Sequence, residues 1–165
     1  MGCEDSHEDG GVTRPARDQT WMAVASIISQ RSTCARRKVG CVLINVWDQV
    51  ASTGYNGVAS GSTHCINQPC AGADEEPGAG LDLCEAIHAE QNALLQCTNP
   101  QSLKIAYITC APCVHCVKML LNTSCRTIVH DQSYAHEAQS KALWVRAGRL
   151  WRQSPVTVRY YANDQ

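Results

Sequence analysis

The order of hydrophobic patterns along this chain predicts an α/β fold, a three-layer α/β/α sandwich around a mixed five-stranded sheet. Two observations carry the prediction. Short β-branched runs alternate with segments of helical spacing, and only three residues separate the first two runs. A connection that short makes an antiparallel hairpin, whereas later strands separated by helices need parallel crossovers. Strands and helices in that order build layers on a mixed sheet. At 165 residues the chain fits one domain with a sizeable core.

Each element has its own signal. Residues 1–17 read as a polar tail and 18–165 as the folded domain. "DQTWMAVASIISQRS" (18–32) spreads Trp21, Met22, Val24, Ala25, Ile27 and Ile28 over a broad apolar face, with Asp18 or Thr20 available as N-cap. "VGCVLINV" (39–46) is too short and too β-branched for a helix; "WDQ" turns the chain and "VASTGY" (50–55) returns as the second strand. From Asn56 to Leu83 there is no periodicity, and a loop that long in a compact domain marks function or a metal staple.

"CEAIHAEQNALLQC" (84–97) resumes helical spacing, and "KIAYIT" (104–109) is a strand. "APCVHCVKMLLNTS" (111–124) opens a helix with Pro112 in its first turn. "RTIVHD" (126–131) is the fourth strand. "AHEAQSKALWVRAG" (135–148) is a helix stopped by Gly148, and "VTVRYY" (156–161) is the fifth strand. Ligands in such folds gather at the carboxyl ends of strands, where both cysteine-rich segments begin.

Composition narrows the function. A formal charge of −1 leaves no basic footprint for nucleic acid or an anionic membrane, so a small ligand is the expected partner. No apolar run approaches the roughly 20 residues of a membrane span. Eleven cysteines, an odd number, with no signal-like segment, argue for reduced thiols and a cytoplasmic protein rather than a disulfide scaffold. "MGCEDS" matches an acyl-acceptor pattern through Gly2, Ser6 and Cys3, yet reads more simply as part of the polar tail.

The chemistry is concentrated in "HAE" (88–90) and "PCVHC" (112–116). Two thiolates three residues apart on a first helical turn point the same way, and the helix terminus favours their ionised forms. His88 with Cys113 and Cys116 makes three protein ligands, the count of a catalytic zinc with one open position. Zinc so held lowers the pKa of a bound water towards about 7. A proton must still travel, and Glu90, two residues past the histidine, is placed to carry it. HxE followed by PCxxC is the signature of zinc-dependent deaminases. A redox CxxC or a purely structural zinc module would also use the two cysteines, but the first needs neither His88 nor Glu90 and the second needs no acid beside its ligand.

With these residues in place the chain resembles the deoxycytidylate (dCMP) deaminases of the cytidine/deoxycytidylate zinc deaminase superfamily. The likeness runs through "RSTCARRKVGCVL", "STGYNGVASG", "IHAEQNALL", "ITCAPCVHCVKMLL" and "HDQSY". It implies a cytidine deaminase-like fold and hydrolysis of dCMP to dUMP and ammonia, which supplies dUMP for dTTP synthesis. It implies zinc on His88, Cys113 and Cys116 with Glu90 as proton shuttle, and Asn56 and Tyr134 near the nucleotide.

Relatives with GYNG are typically hexamers activated by dCTP and inhibited by dTTP with Mg²⁺. That points to Tyr55, Asn56, Gly57 and Lys38 as effector contacts. A second cluster, His64, Cys65, Cys70 and Cys84 with Cys34 as a substitute, resembles the structural zinc clip of phage and bacterial members. Many relatives carry a Pro-Arg pair after GYNG, where this chain has Val58, Ala59 and Ser60. Arg36, Arg37 or Lys38 would then have to meet a phosphate. The alternatives within the fold are a deaminase for 5-substituted dCMP, for another cytosine or adenine nucleotide, or for a nucleic-acid base.

Overall fold

In the computed structural model, which describes residues 14–76 and 78–154, five strands form one sheet in the order β2-β1-β3-β4-β5. The strands are β1 (Gly40–Asn45), β2 (Val50–Tyr55), β3 (Leu103–Cys110), β4 (Thr127–Gln132) and β5 (Leu150–Gln153). The helices are α1 (Arg17–Ser29), α2 (Ala89–Gln96), α3 (Val114–Leu121) and α4 (Glu137–Arg146). β1 pairs antiparallel with β2 and β3, while β3, β4 and β5 run parallel, so the sheet is mixed as expected.

Alternation along the strands builds two cores. Cys41 and Leu43, Ala106 and Ile108, and Ile128 face α2, α3 and α4 through Ala89, Ala93, Val117, Leu120 and Trp144. The intervening Val42, Ile44, Tyr107 and Val129 face α1 through Met22 and Ala25. A period of two along each strand thus assigns successive residues to opposite layers. Helices on both faces of one sheet complete the three layers.

Three sequence expectations are corrected. The N-cap of α1 is Ala16, and Asp18 instead accepts hydrogen bonds from Tyr107 Oη at 2.7 Å and Arg152 Nη1 at 2.8 Å. That ties the helix start to the sheet. The segment 84–88 is not helical: α2 begins at Ala89, because Ile87 is held extended in a bridge with Gly57. Residues 150–153, to which the sequence assigned no element, form the edge strand β5, while "VTVRYY" and most of the 1–17 tail lie outside the described residues. No helix among the described residues is long and apolar enough to cross a membrane.

Gly54 matters because it brings β2 and α2 into backbone contact. A Cβ on Gly54 would stand 2.2 Å from Ala89 O and 2.4 Å from Ala93 N. Glycine is required there for close approach, since neither Gly54 nor Gly57 has a positive φ. A Cβ on Gly57 would likewise meet Thr33 Oγ1 at 2.3 Å.

Candidate active site

Two helix starts converge above the carboxyl end of β3. The strand ends at Cys110, and Ala111 N donates to Gln132 O at 2.7 Å, keeping the chain in line with β4. Pro112 comes before the helix rather than within it, because Cys113 is an extended N-cap at φ −73°, ψ 166°. Cys113 therefore caps α3 and Cys116 lies in its first turn. On the other side His88 is the N-cap of α2, with its N–H donated to Gln91 Oε1 at 2.8 Å. The Gly57–Ile87 bridge fixes the residue before it.

His88 Nδ1 stands 3.4 Å from Cys113 Sγ and 3.4 Å from Cys116 Sγ. The three donor atoms lie within 4.8 Å of one another and are the one such group of His, Cys, Asp or Glu among the described residues. Tetrahedral zinc with ordinary Zn–S and Zn–N bonds would separate nitrogen from sulfur by about 3.5 Å, so this donor set fits zinc in chemistry and in spacing. Cys116 is fully buried, while His88 and Cys113 are half-buried.

The electrostatics agree. The hydrogen bond from Cys116 pulls the Cys113 thiol down to about 3, and the same bond pushes Cys116 up. Contact with Cys113 raises His88. Glu90 is 3% exposed, and burial pushes its carboxyl up, against the opposing pull of His88. A buried carboxyl raised above its ordinary range is suited to taking and returning a proton.

A cavity of about 410 Å³ opens onto His88, Glu90 and Cys113, and Asn56, Tyr134 and Arg37 line it too. That volume suits a small ligand. Tyr134 is half-buried and meets His136 edge-on at 5.6 Å. Asn56 lines the cavity, but its amide is largely committed to the 32–39 segment. Its Oδ1 accepts from Ser32 Oγ at 2.7 Å and Val39 N at 2.8 Å, and its Nδ2 donates to Arg37 O at 2.8 Å. Tyr55 and Lys38 are exposed and neither is among the residues lining the cavity. Gly57 is spent on its bridge with Ile87.

The second cysteine cluster is partly assembled. Cys65 Sγ and Cys70 Sγ are 3.8 Å apart. Burial raises Cys84, which also senses Cys34 and Cys70. His64 is exposed, and its carbonyl accepts from Asn67 N and Gln68 N at 2.9 Å each. Its backbone shapes a turn.

Sequence reasoning missed the support under Tyr134. His130 is buried, with Nε2 3.2 Å from Glu137 Oε1, and Trp151 Nε1 donates to the same oxygen at 3.2 Å. This pair anchors both ends of the turn that carries Tyr134. The quoted "HDQSY" contained half of it; Glu137 lies beyond.

The family model for the cytidine and deoxycytidylate deaminase zinc-binding region matches residues 15–132. The chain belongs to this family. It is 33% identical to the deoxycytidylate deaminase of Saccharomyces cerevisiae over 148 residues, 88% of this chain and 47% of the yeast protein. With the deoxycytidylate deaminase of Mycobacterium phage D29 the identity is 33% over 127 residues, 73% of this chain and 98% of the phage protein. The chain therefore spans about half the length of its yeast relative and the whole of its phage relative. A dCMP deaminase from cyanophage S-TIM5, solved with dCMP and dUMP, shares the fold with a TM-score of 0.70 at 23% identity. That likeness covers 87% of this chain and all of the phage chain. Family membership accounts for zinc as the metal that the His88–Cys113–Cys116 donors suit.

Proposed function

We propose that this chain, with residues 18–165 as its catalytic domain, hydrolyses dCMP to dUMP and ammonia in the cytoplasm and so supplies dUMP for dTTP synthesis. The observation that carries the reading is a three-donor metal triad beside a buried carboxyl in one cavity. Zinc held by His88, Cys113 and Cys116 supplies a nucleophilic water at neutral pH. Glu90 takes one proton from the water as its oxygen bonds to the ring carbon and passes it to the adjacent ring nitrogen, then takes the second from the resulting hydroxyl and delivers it to the departing amino nitrogen as that carbon–nitrogen bond breaks, leaving dUMP and ammonia. Tyr134 and Asn56 bound the space for the nucleotide. The deaminase name of both relatives and the nucleotides in the cyanophage structure support dCMP as substrate.

Ammonia release tests it with dCMP, deoxycytidine, 5-methyl-dCMP and a cytosine-containing oligonucleotide as substrates. A site shaped for a mononucleotide leaves its phosphate donors unpaired with a nucleoside. The expected result is a kcat/KM for dCMP at least ~10²-fold above that for deoxycytidine. Equal rates on the two would make this a nucleoside enzyme, and a faster oligonucleotide would make it a nucleic-acid enzyme. The formal charge of −1 argues against the latter.

A second, structural zinc belongs to the same proposal, held by Cys65, Cys70, Cys84 and His64, with Cys34 as the substitute for one of them. The support is the 3.8 Å sulfur–sulfur approach of Cys65 and Cys70. A long loop without its own core gains most from such a staple. Elemental analysis should find two zinc ions per chain. Cys70→Ser should release one and lower the melting temperature while dCMP turnover by the remaining ion persists. One zinc in fully metal-loaded protein would remove the second site. Regulation by dCTP and dTTP with Mg²⁺, and assembly as a hexamer, are proposed on the resemblance around Tyr55, Asn56 and Gly57.

A further inference from the structure

The turn between β4 and α4, residues 133–136, supplies one side chain to the cavity, Tyr134. Burial raises its hydroxyl and nearby Cys113 raises it further, so the ring stands beside the metal triad. His136 meets that ring edge-on at 5.6 Å, and Gly78 of the cavity loop packs on His136 so closely that a Cβ there would stand 2.7 Å from its Nε2. These contacts support the ring. The backbone beneath it is held by another residue.

That residue is Glu137, three positions on, in the first turn of α4. Its N–H donates to Tyr134 O at 3.0 Å, and its carboxylate reaches back to accept from the Tyr134 N–H and from the Ser133 hydroxyl. This is the reach of a capping box, in which a side chain three residues on satisfies a backbone donor that the helix leaves free. The same carboxylate takes Trp151 Nε1 from β5 at 3.2 Å and faces His130 Nε2 from β4 at 3.2 Å, while His130 Nδ1 meets Gln132 O at 3.2 Å. Burial would lift this carboxyl, but the donors around it and His130 hold it below the usual carboxylate range. At neutral pH it is therefore an acceptor on both oxygens.

Glu137 thus joins β4, β5 and α4 at one point and fixes both backbone groups of Tyr134 from there. It is not itself among the residues lining the cavity, whereas Tyr134 is. Anything Glu137 does to a bound molecule passes through the residue it holds. A wall that meets the nucleotide alike before and during the reaction changes KM and leaves kcat in place.

We propose that Glu137 is a positioning residue for the nucleotide: by holding the N–H and the carbonyl of Tyr134 it sets where that ring stands in the cavity, and so sets the affinity for dCMP without touching it. This rests on the mononucleotide reading above and adds to it a residue outside the cavity on which nucleotide affinity depends.

The test measures kcat and KM for dCMP in the wild type, Glu137→Ala, Glu137→Gln, Tyr134→Ala and the double variant, with zinc content and melting temperature taken on each preparation. Glu137→Ala is expected to raise KM about tenfold and to leave kcat within about threefold, the scale of one lost charged hydrogen bond. Glu137→Gln keeps one acceptor oxygen and should recover part of the loss, with KM up by about threefold. Tyr134→Ala should raise KM at least as far as Glu137→Ala does. In the Tyr134→Ala background, Glu137→Ala should move KM by less than about twofold, because the ring it positions is gone. A role in stability alone would lower the melting temperature and the active fraction, and with them apparent kcat, while KM stayed where it was.

Two failures are distinguishable. A wild type that releases no ammonia from dCMP overturns the mononucleotide reading, and this assignment with it. With an active wild type, an unchanged KM in Glu137→Ala or in Tyr134→Ala, a loss confined to kcat, or a KM effect of Glu137→Ala that persists in full beside Tyr134→Ala overturns the assignment of Glu137 alone. If Glu137→Ala does not accumulate, Glu137→Gln, alone and combined with Tyr134→Ala, decides on the same terms.

Discussion

Glu90→Gln is expected to lower dCMP turnover by ~10²- to ~10⁴-fold while the protein keeps its catalytic zinc. The side chain sits two residues past His88, 3% exposed, at the start of α2, and is not one of the three donors that cluster for metal. The amide keeps the shape of the carboxyl and cannot relay the proton. Folding takes this carboxyl out of water at a cost, so a neutral isostere should leave thermal stability unchanged or higher. Zinc content, melting temperature and ammonia release on one preparation separate a chemical defect from a folding one. Near-normal activity in a zinc-loaded Glu90→Gln protein would take Glu90 out of the mechanism.

Cys116→Ser is expected to do more damage by a different route. Cys116 is fully buried, with its sulfur 3.4 Å from His88 Nδ1. Serine places a shorter, harder and protonated oxygen there, which is a poor zinc ligand. Without the ion the nucleophile reverts to water with a pKa of about 15.7 rather than about 7. Turnover should fall by at least ~10⁴-fold, with loss of the catalytic zinc, and stability should drop by ~1–3 kcal/mol from a buried hydroxyl without its partner. Retained zinc and activity would mean that the thiolate is not a ligand.

Much of this site was legible because its chemistry is local in sequence. HAE and PCVHC are contiguous words, and a cap with the first helical turn after it fixes which way their side chains point. β2 came out at its expected bounds, 50–55, because a three-residue turn and a β-branched run define it from both ends. Asn56 was harder. Its residue type suits a ligand contact, yet its bonds run to Ser32, Arg37 and Val39, partners that only folding brings near. The same holds for Asp18, whose partners Tyr107 and Arg152 lie on β3 and β5. β5 escaped because four residues at a sheet edge, mostly exposed and including Arg152 and Gln153, carry no alternation to detect.

The backbone contact at Gly54 has a consequence for how this chain tolerates change over generations. Helices that pack through side chains can shift by an ångström or so as those side chains are exchanged. α2 rests on β2 main chain against main chain, with no rotamer in between to absorb a substitution. Exchange of the surrounding apolar residues is therefore expected to displace α3 and α4, which meet the sheet through Val117, Leu120 and Trp144, more than α2. On that expectation His88, with Glu90 behind it, is the fixed jaw of the metal site, and Cys113 and Cys116 form the jaw that adjusts.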